Sequence, residues 1–109
     1  MTDTASDADT ASELQMLVSE EAIQTDVKTL SALGYETRYR LVRLLTAADR
    51  GLDFDEITPH VEVSDSAVSH ALTLLCDAGL VIKEKRGRSR RYMATNRANA
   101  IVAVLDGTR

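Results

Sequence analysis

Ser64-Asp65-Ser66-Ala67-Val68-Ser69-His70-Ala71-Leu72-Thr73-Leu74-Leu75-Cys76-Asp77-Ala78-Gly79-Leu80-Val81 reads as a capped amphipathic helix that ends at a glycine and feeds a strand. Ser64 is a cap residue, and Asp65 follows it where the helix dipole favours an anion. Val68, Ala71, Leu72 and Leu75 stand at i, i+3, i+4 and i+7 and form one buried stripe. The opposite face carries Ser66, Ser69, His70 and Thr73. These side chains are short and uncharged, and each can donate or accept a hydrogen bond. A face of that kind suits close approach to the wall of a groove.

Immediately downstream, Lys83-Glu84-Lys85-Arg86-Gly87-Arg88-Ser89-Arg90-Arg91 holds six positive charges and one negative. Residues 80–85 and 90–94 alternate well enough for two strands, with Arg86-Gly87-Arg88-Ser89 as the hairpin tip. A small-residue helix followed by a basic hairpin is what a winged helix-turn-helix presents to DNA. Such a charge run can also be a merely solvated face. The glycine at the tip of a short hairpin favours contact of Arg86, Arg88, Arg90 and Arg91 with phosphate or the minor groove.

Working outward, residues 1–12 contain only small, polar and acidic residues after Met1 and predict a disordered acidic tail. Residues 13–109 then form the folded domain. Leu14 to Leu33 is helix-prone, with Ile23, Val27 and Leu30 at i, i+4 and i+7, and Gly34 breaks the run. Thr37 to Ala48 is the next helix, with Leu41, Leu44, Leu45 and Ala48 inward. A short helix covers Asp53 to about His60, with Phe54, Ile57 and Val61 as its apolar positions and Pro59 near its end. Asn96 to Leu105 is the last helix, with Ala98, Ile101, Val102 and Leu105 as its stripe. The expected fold is mainly α with a small β-hairpin, in the order helix-helix-helix-helix-strand-strand-helix.

The chain of 109 residues has a net charge of −4, which at first argues against a nucleic-acid partner. The distribution reverses that argument. Residues 1–26 hold seven acidic residues and no Lys or Arg, whereas residues 83–91 are +5. Local field, not net charge, steers a polyanion. Asp outnumbers Glu ten to seven and Arg outnumbers Lys ten to three, a balance that fits a high-salt solvent or a codon bias. No apolar run approaches the roughly 20 residues of a membrane span. The acidic start lacks the marks of a signal peptide, and a single cysteine excludes an intrachain disulfide, so the expected location is cytoplasmic.

Leu30-Ser31-Ala32-Leu33-Gly34-Tyr35-Glu36-Thr37-Arg38-Tyr39-Arg40-Leu41-Val42-Arg43-Leu44-Leu45 resembles the opening signature of the ArsR/SmtB family of arsenical-resistance repressors. Ser64-Asp65-Ser66-Ala67-Val68-Ser69-His70-Ala71-Leu72 is similar to that family's S-x-S-x-V-S-H-H-L, and the Gly79-Leu80-Val81 exit and basic wing match as well. The resemblance covers roughly residues 28–95. It implies a homodimeric transcriptional repressor of operator DNA, released by an effector such as arsenite or another metal or metalloid. In such a dimer the first and last helices pack on their symmetry mates, here through Ile23, Val27, Ile101 and Leu105. An apolar stripe at the chain end independently calls for cover, which a twofold partner supplies.

The resemblance has departures. Family members that sense arsenite, cadmium or lead carry C-x-C where this chain has Asp53 and Asp55, and the last helix has none of the histidines used by zinc and nickel sensors. No cofactor is evident. Cys76, the only thiol, is a candidate effector ligand or redox switch, but also an ordinary buried cysteine beside core leucines. Asp53, Asp55 and Glu56 could bind a hard cation, or simply favour a helix start. His60 reads as a helix-end residue. A Ser69-His70-Asp65 catalytic set fails on geometry, because neighbouring helix residues point about 100° apart. The chain is therefore read as no enzyme. With Ser64, Ser66, Ser69, His70, Thr73, Arg86, Arg88 and Arg90 as DNA-contacting residues, it is a sequence-specific DNA-binding regulator. The competing readings are a winged-helix interaction module without DNA binding and a repressor of the same family that senses no metal.

Overall fold

The computed structural model describes residues 18–109. In chain order the elements are α1 (Glu20–Leu33), α2 (Glu36–Ala48), β1 (Leu52–Asp53), α3 (Phe54–Ile57) continuing into a 3-10 turn (Thr58–His60), α4 (Asp65–Asp77), β2 (Val81–Arg86), β3 (Ser89–Ala94) and α5 (Asn96–Gly107). The tail expected over residues 1–12 lies outside the described residues. So does the start of the first helix-prone stretch. Helix α1 itself begins later than Leu14, because the Ser19 hydroxyl accepts from the Ala22 amide and sets the start at Glu20.

The decisive stretch folds as its sequence requires. Ser64 Oγ accepts from the Ala67 amide at 3.1 Å and starts α4. At the other end, Gly79 adopts φ +74°, and the Leu80 amide donates to the Leu75 carbonyl at 3.0 Å. That left-handed residue and long-range bond form a Schellman stop and aim the chain into β2. Val68, Ala71, Leu72 and Leu75 are all buried. They meet Leu41, Val42 and Leu45 of α2, Ile57 of α3, Leu80, and Ala98 and Val102 of α5 in one core. Truncating a fully buried leucine such as Leu72 to alanine costs about 2–5 kcal/mol.

The sheet has one strand more than expected. Its order is β1-β3-β2, and β1 joins through Leu52 opposite Tyr92 and Asp53 opposite Arg91. Two residues are too few to show the period of two, so this strand reads in the sequence as the start of a helix. Leu52 and Tyr92 are both buried, which secures the third strand to the core. The expected helix from Asp53 to His60 accordingly begins one residue later and tightens at Pro59 into the 3-10 turn. Asp53 and Glu56 form a capping box. The Asp53 carboxylate accepts from the Glu56 amide at 2.9 Å, and Glu56 accepts from the Asp53 amide at 3.1 Å.

Side-chain bonds tie the helices to one another. The buried Thr29 hydroxyl donates to the Ala78 carbonyl at 3.2 Å and fastens α1 to the end of α4. Arg38 donates to the Ala32 and Ser31 carbonyls at the end of α1 and lies 4.1 Å from the centre of the Tyr35 ring. Asp106 of α5 accepts from Arg43 of α2 at 2.7 Å, and Asp26 of α1 accepts from Arg97 of α5 at 2.7 Å.

Candidate nucleic-acid interface

The buried stripe of α4 faces the core, so the helix presents its other side to solvent. Ser64, Ser66, Ser69, His70 and Thr73 are all exposed there, as their spacing requires. Ser64 uses an oxygen lone pair on its cap and keeps its O–H to donate. Thr73 donates to the Ser69 carbonyl at 3.1 Å and keeps its lone pairs to accept. Thr73 thus offers an acceptor and Ser64 a donor. Val63, 40% exposed, adds an apolar contact just before the cap that the amphipathic pattern of α4 does not reveal.

The hairpin closes with a two-residue loop, Gly87-Arg88, between the paired ends Arg86 and Ser89. Gly87 has φ +60°, the left-handed geometry that matches strand twist in such a loop. The six cations of this stretch are not equivalent. Arg86 Nε bonds Glu84 Oε1 at 2.8 Å. The stem of Arg91 lies over the buried Gly51, where an added Cβ would meet the Arg91 Cβ at 3.3 Å. Lys83, Lys85, Arg88 and Arg90 are exposed. Lys85 and Arg90 stand directly opposite each other across the ladder. Like charges in that relation are destabilising unless something neutralises them. Lys83 and Lys85 were not singled out as site residues. Lying two and four positions after Val81, they share one strand face, on which the register also sets Arg90 opposite Lys85.

A second exposed surface is apolar. Val27 is 55% exposed and Leu105 40% exposed, while Ile23 and Ile101 are half-buried. Leu30 at 64% and Val104 at 62% extend the two helix faces, and neither stood among the expected interface residues. Val104 lies i+3 from Ile101, so the helical period contains it.

Cys76 is half-buried, and burial pushes its thiol above the ordinary cysteine range, with Lys83 opposing the shift. Asp53 and Glu56 are occupied by the capping box. The Glu56 carboxyl is held below the usual range first by the Asp53 amide and then by Arg50. Among the described residues no group of three His, Cys, Asp or Glu side chains is placed to hold a metal ion, and no helix is long and apolar enough to cross a membrane.

Residues 36–83 match the sequence profile of the bacterial regulatory protein, arsR family. Over 101 residues the chain is 43% identical to a Halobacterium salinarum protein assigned as the arsenical resistance operon repressor ArsR, covering 93% of this chain and 78% of that one. A second protein of that organism, assigned as ArsR2, is 41% identical over 92 residues, covering 84% and 77%. Reduced HlyU from Vibrio cholerae superposes with a TM-score of 0.69 at 28% identity, covering 84% of this chain and 94% of that one. An ArsR-like transcriptional regulator from Rhodococcus sp. RHA1 gives 0.63 at 26% identity, covering 77% and 78%. The helix, the wing and these likenesses converge, and the chain belongs to the ArsR family of winged helix-turn-helix transcriptional regulators.

Proposed function

We propose that this chain works in the cytoplasm as a homodimeric repressor that binds operator DNA, α4 reading bases in the major groove and the wing holding phosphate. The observation that carries the reading is the pair Lys85 and Arg90, directly opposed on the exposed hairpin and in no ion pair among the described residues. A polyanion supplies the charge that this arrangement lacks. Ser64, Ser66, Ser69, His70 and Thr73 are the base-reading set. Hydroxyls meet donor or acceptor edges, and Val63 suits the thymine methyl. Arg86, Arg88 and Arg90, with Lys85, are the phosphate contacts.

The dimer forms through Ile23, Val27, Ile101 and Leu105, extended by Leu30 and Val104. Two recognition helices then lie about 34–36 Å apart and reach successive major grooves. Selection from a random duplex pool tests the whole reading. A palindromic site with half-sites about one helical turn apart is the expected product, and enrichment of no sequence would overturn it.

The relatives' assignment to arsenical resistance operons makes arsenite the first effector to test. The residues do not fit a three-thiolate site, because the chain has one cysteine and a dimer offers two. Burial also disfavours the thiolate form of Cys76. Stoichiometric arsenite is therefore expected to leave the protein–DNA complex intact. Release that disappears in Cys76→Ser would make Cys76 the sensor.

A further inference from the structure

Lys83, Lys85, Arg88 and Arg90 are exposed, and none of them forms an ion pair among the described residues, although arginines elsewhere in the chain find carboxylates. The complementary charge is concentrated at the far end of the sequence. Residues 1–17 hold Asp3, Asp7, Asp9 and Glu13 and neither Lys nor Arg. They precede α1, and α1 is fastened near the base of the wing: Asp26 bonds Arg97 at 2.7 Å in the first turn of α5, just after β3 ends at Ala94. From Asp26 back to Ser19 the helix rises about 10 Å. From Ala94 out to Ser89 the strand runs about 17 Å. Seventeen extended residues span on the order of 55–60 Å. Residues 1–17 are thus long enough to lie along the wing of their own chain.

We propose that the acidic N-terminal segment, residues 1–17, docks on the wing face formed by Lys85, Arg88 and Arg90 and competes there with DNA phosphate. The inference rests on the DNA-binding reading and deepens it. A tethered competitor acts at the high effective concentration of a short linker. Each exposed ion pair is weak, so the sum lowers DNA affinity several-fold rather than abolishing it. Because the wing contacts phosphate, the effect is shared by all duplex sequences.

The full-length variant with Asp3→Asn, Asp7→Asn, Asp9→Asn and Glu13→Gln tests this, with a non-operator duplex followed by fluorescence anisotropy. At about 0.1 M salt its affinity should exceed wild type by roughly three- to tenfold. Its salt dependence should be steeper, since no segment already neutralises the wing. The gain should vanish toward 1 M salt, where the screening length is about 3 Å. In an Arg88→Ala, Arg90→Ala background the four tail substitutions should give no gain. Unchanged affinity in the first variant would overturn the docking. A gain that persists without the wing arginines would do the same, because the tail would then act through net charge alone. If Arg88→Ala, Arg90→Ala by itself leaves DNA affinity unchanged, the phosphate-binding role of the wing fails instead.

Discussion

The wing side of this molecule and the α1–α5 side differ in what each leaves unsatisfied. On the wing, Lys85 and Arg90 oppose each other and neither is paired with a carboxylate among the described residues. On α1 and α5, Val27, Leu30 and Val104 hold more than half of their surface in solvent. The first deficit is one of charge and calls for a polyanion. The second is one of apolar cover and is met by another apolar face. Exposure alone says little, because both surfaces are exposed. The chemistry of what is exposed separates a DNA contact from a protein contact.

The comparison breaks most sharply at Leu105. Leu105→Asp places a charge on the apolar surface and touches nothing on the wing. Monomers that keep the wild-type circular dichroism are expected. Their operator affinity should fall by about 10²–10⁴, the gain that linking two half-site contacts ordinarily provides. Sedimentation at micromolar concentration checks the premise, and a monomeric wild type would sink it.

Arg86→Ala, Arg88→Ala and Arg90→Ala together address the other surface. They should leave the dimer intact and weaken binding to all duplexes by about 10²-fold at low salt. The salt slope should flatten by up to about one unit per lost phosphate contact. Arg86 is expected to contribute least, since Glu84 already holds it. An unchanged slope would move the contact elsewhere.

His70→Ala divides the DNA surface itself. Its side chain is exposed on α4, so melting should be unchanged. Discrimination should relax at one operator position, by about 1–3 kcal/mol, in a competition series over single-base variants. A loss spread evenly over all positions would make His70 a phosphate contact.

The two surfaces were unequally legible in the sequence. The recognition helix was written out in full, because cap, stripe, glycine and small polar face all agree over one element. The wing was legible as a charge run, but not the separate fates of its arginines. Register sets Arg91 between Asp53 and Glu84 but Arg90 against Lys85. The apolar stripe of α1 was visible as a period, and the family resemblance turned Ile23 and Val27 toward a dimer partner. Val27 and Leu30 are exposed, and what the period did not show is that the core takes Thr29 and Ala32 instead. A buried threonine is admitted because its hydroxyl has acceptors at 3.2 Å in the Thr25 carbonyl one turn back and in the Ala78 carbonyl, a partner 49 positions away that no local pattern contains. Strand β1 was missed for the same reason, since Leu52 becomes a strand residue only by lying against Tyr92.

Asp53→Ala provides a control that belongs to neither surface. It removes the cap of α3 and should cost about 0.5–2 kcal/mol of stability. For a domain of this size that lowers the melting temperature by several degrees. Dimerisation and DNA affinity at 25 °C should be unchanged. A large loss of DNA binding without loss of stability would tie α3 directly to the duplex.

The smallest effect expected is a pH dependence confined to the apolar side. Asp106 holds α5 against α2, and its carboxyl lies below the ordinary range because Arg43 donates a hydrogen bond to it and attracts its charge. A carboxyl with a lowered folded value binds a proton more readily in the unfolded chain. Its contribution to stability is therefore fully present above the ordinary value of about 4 and is lost as pH falls through the lowered one. Acid should thus loosen the seat of α5 on α2. Asp106→Asn removes this contribution at every pH, so its melting temperature should lie slightly below wild type at pH 7 and approach it as pH falls below the ordinary carboxylate range. Curves that stay parallel over that range would place the acid sensitivity elsewhere, with Glu56 in its capping box the next carboxylate to replace.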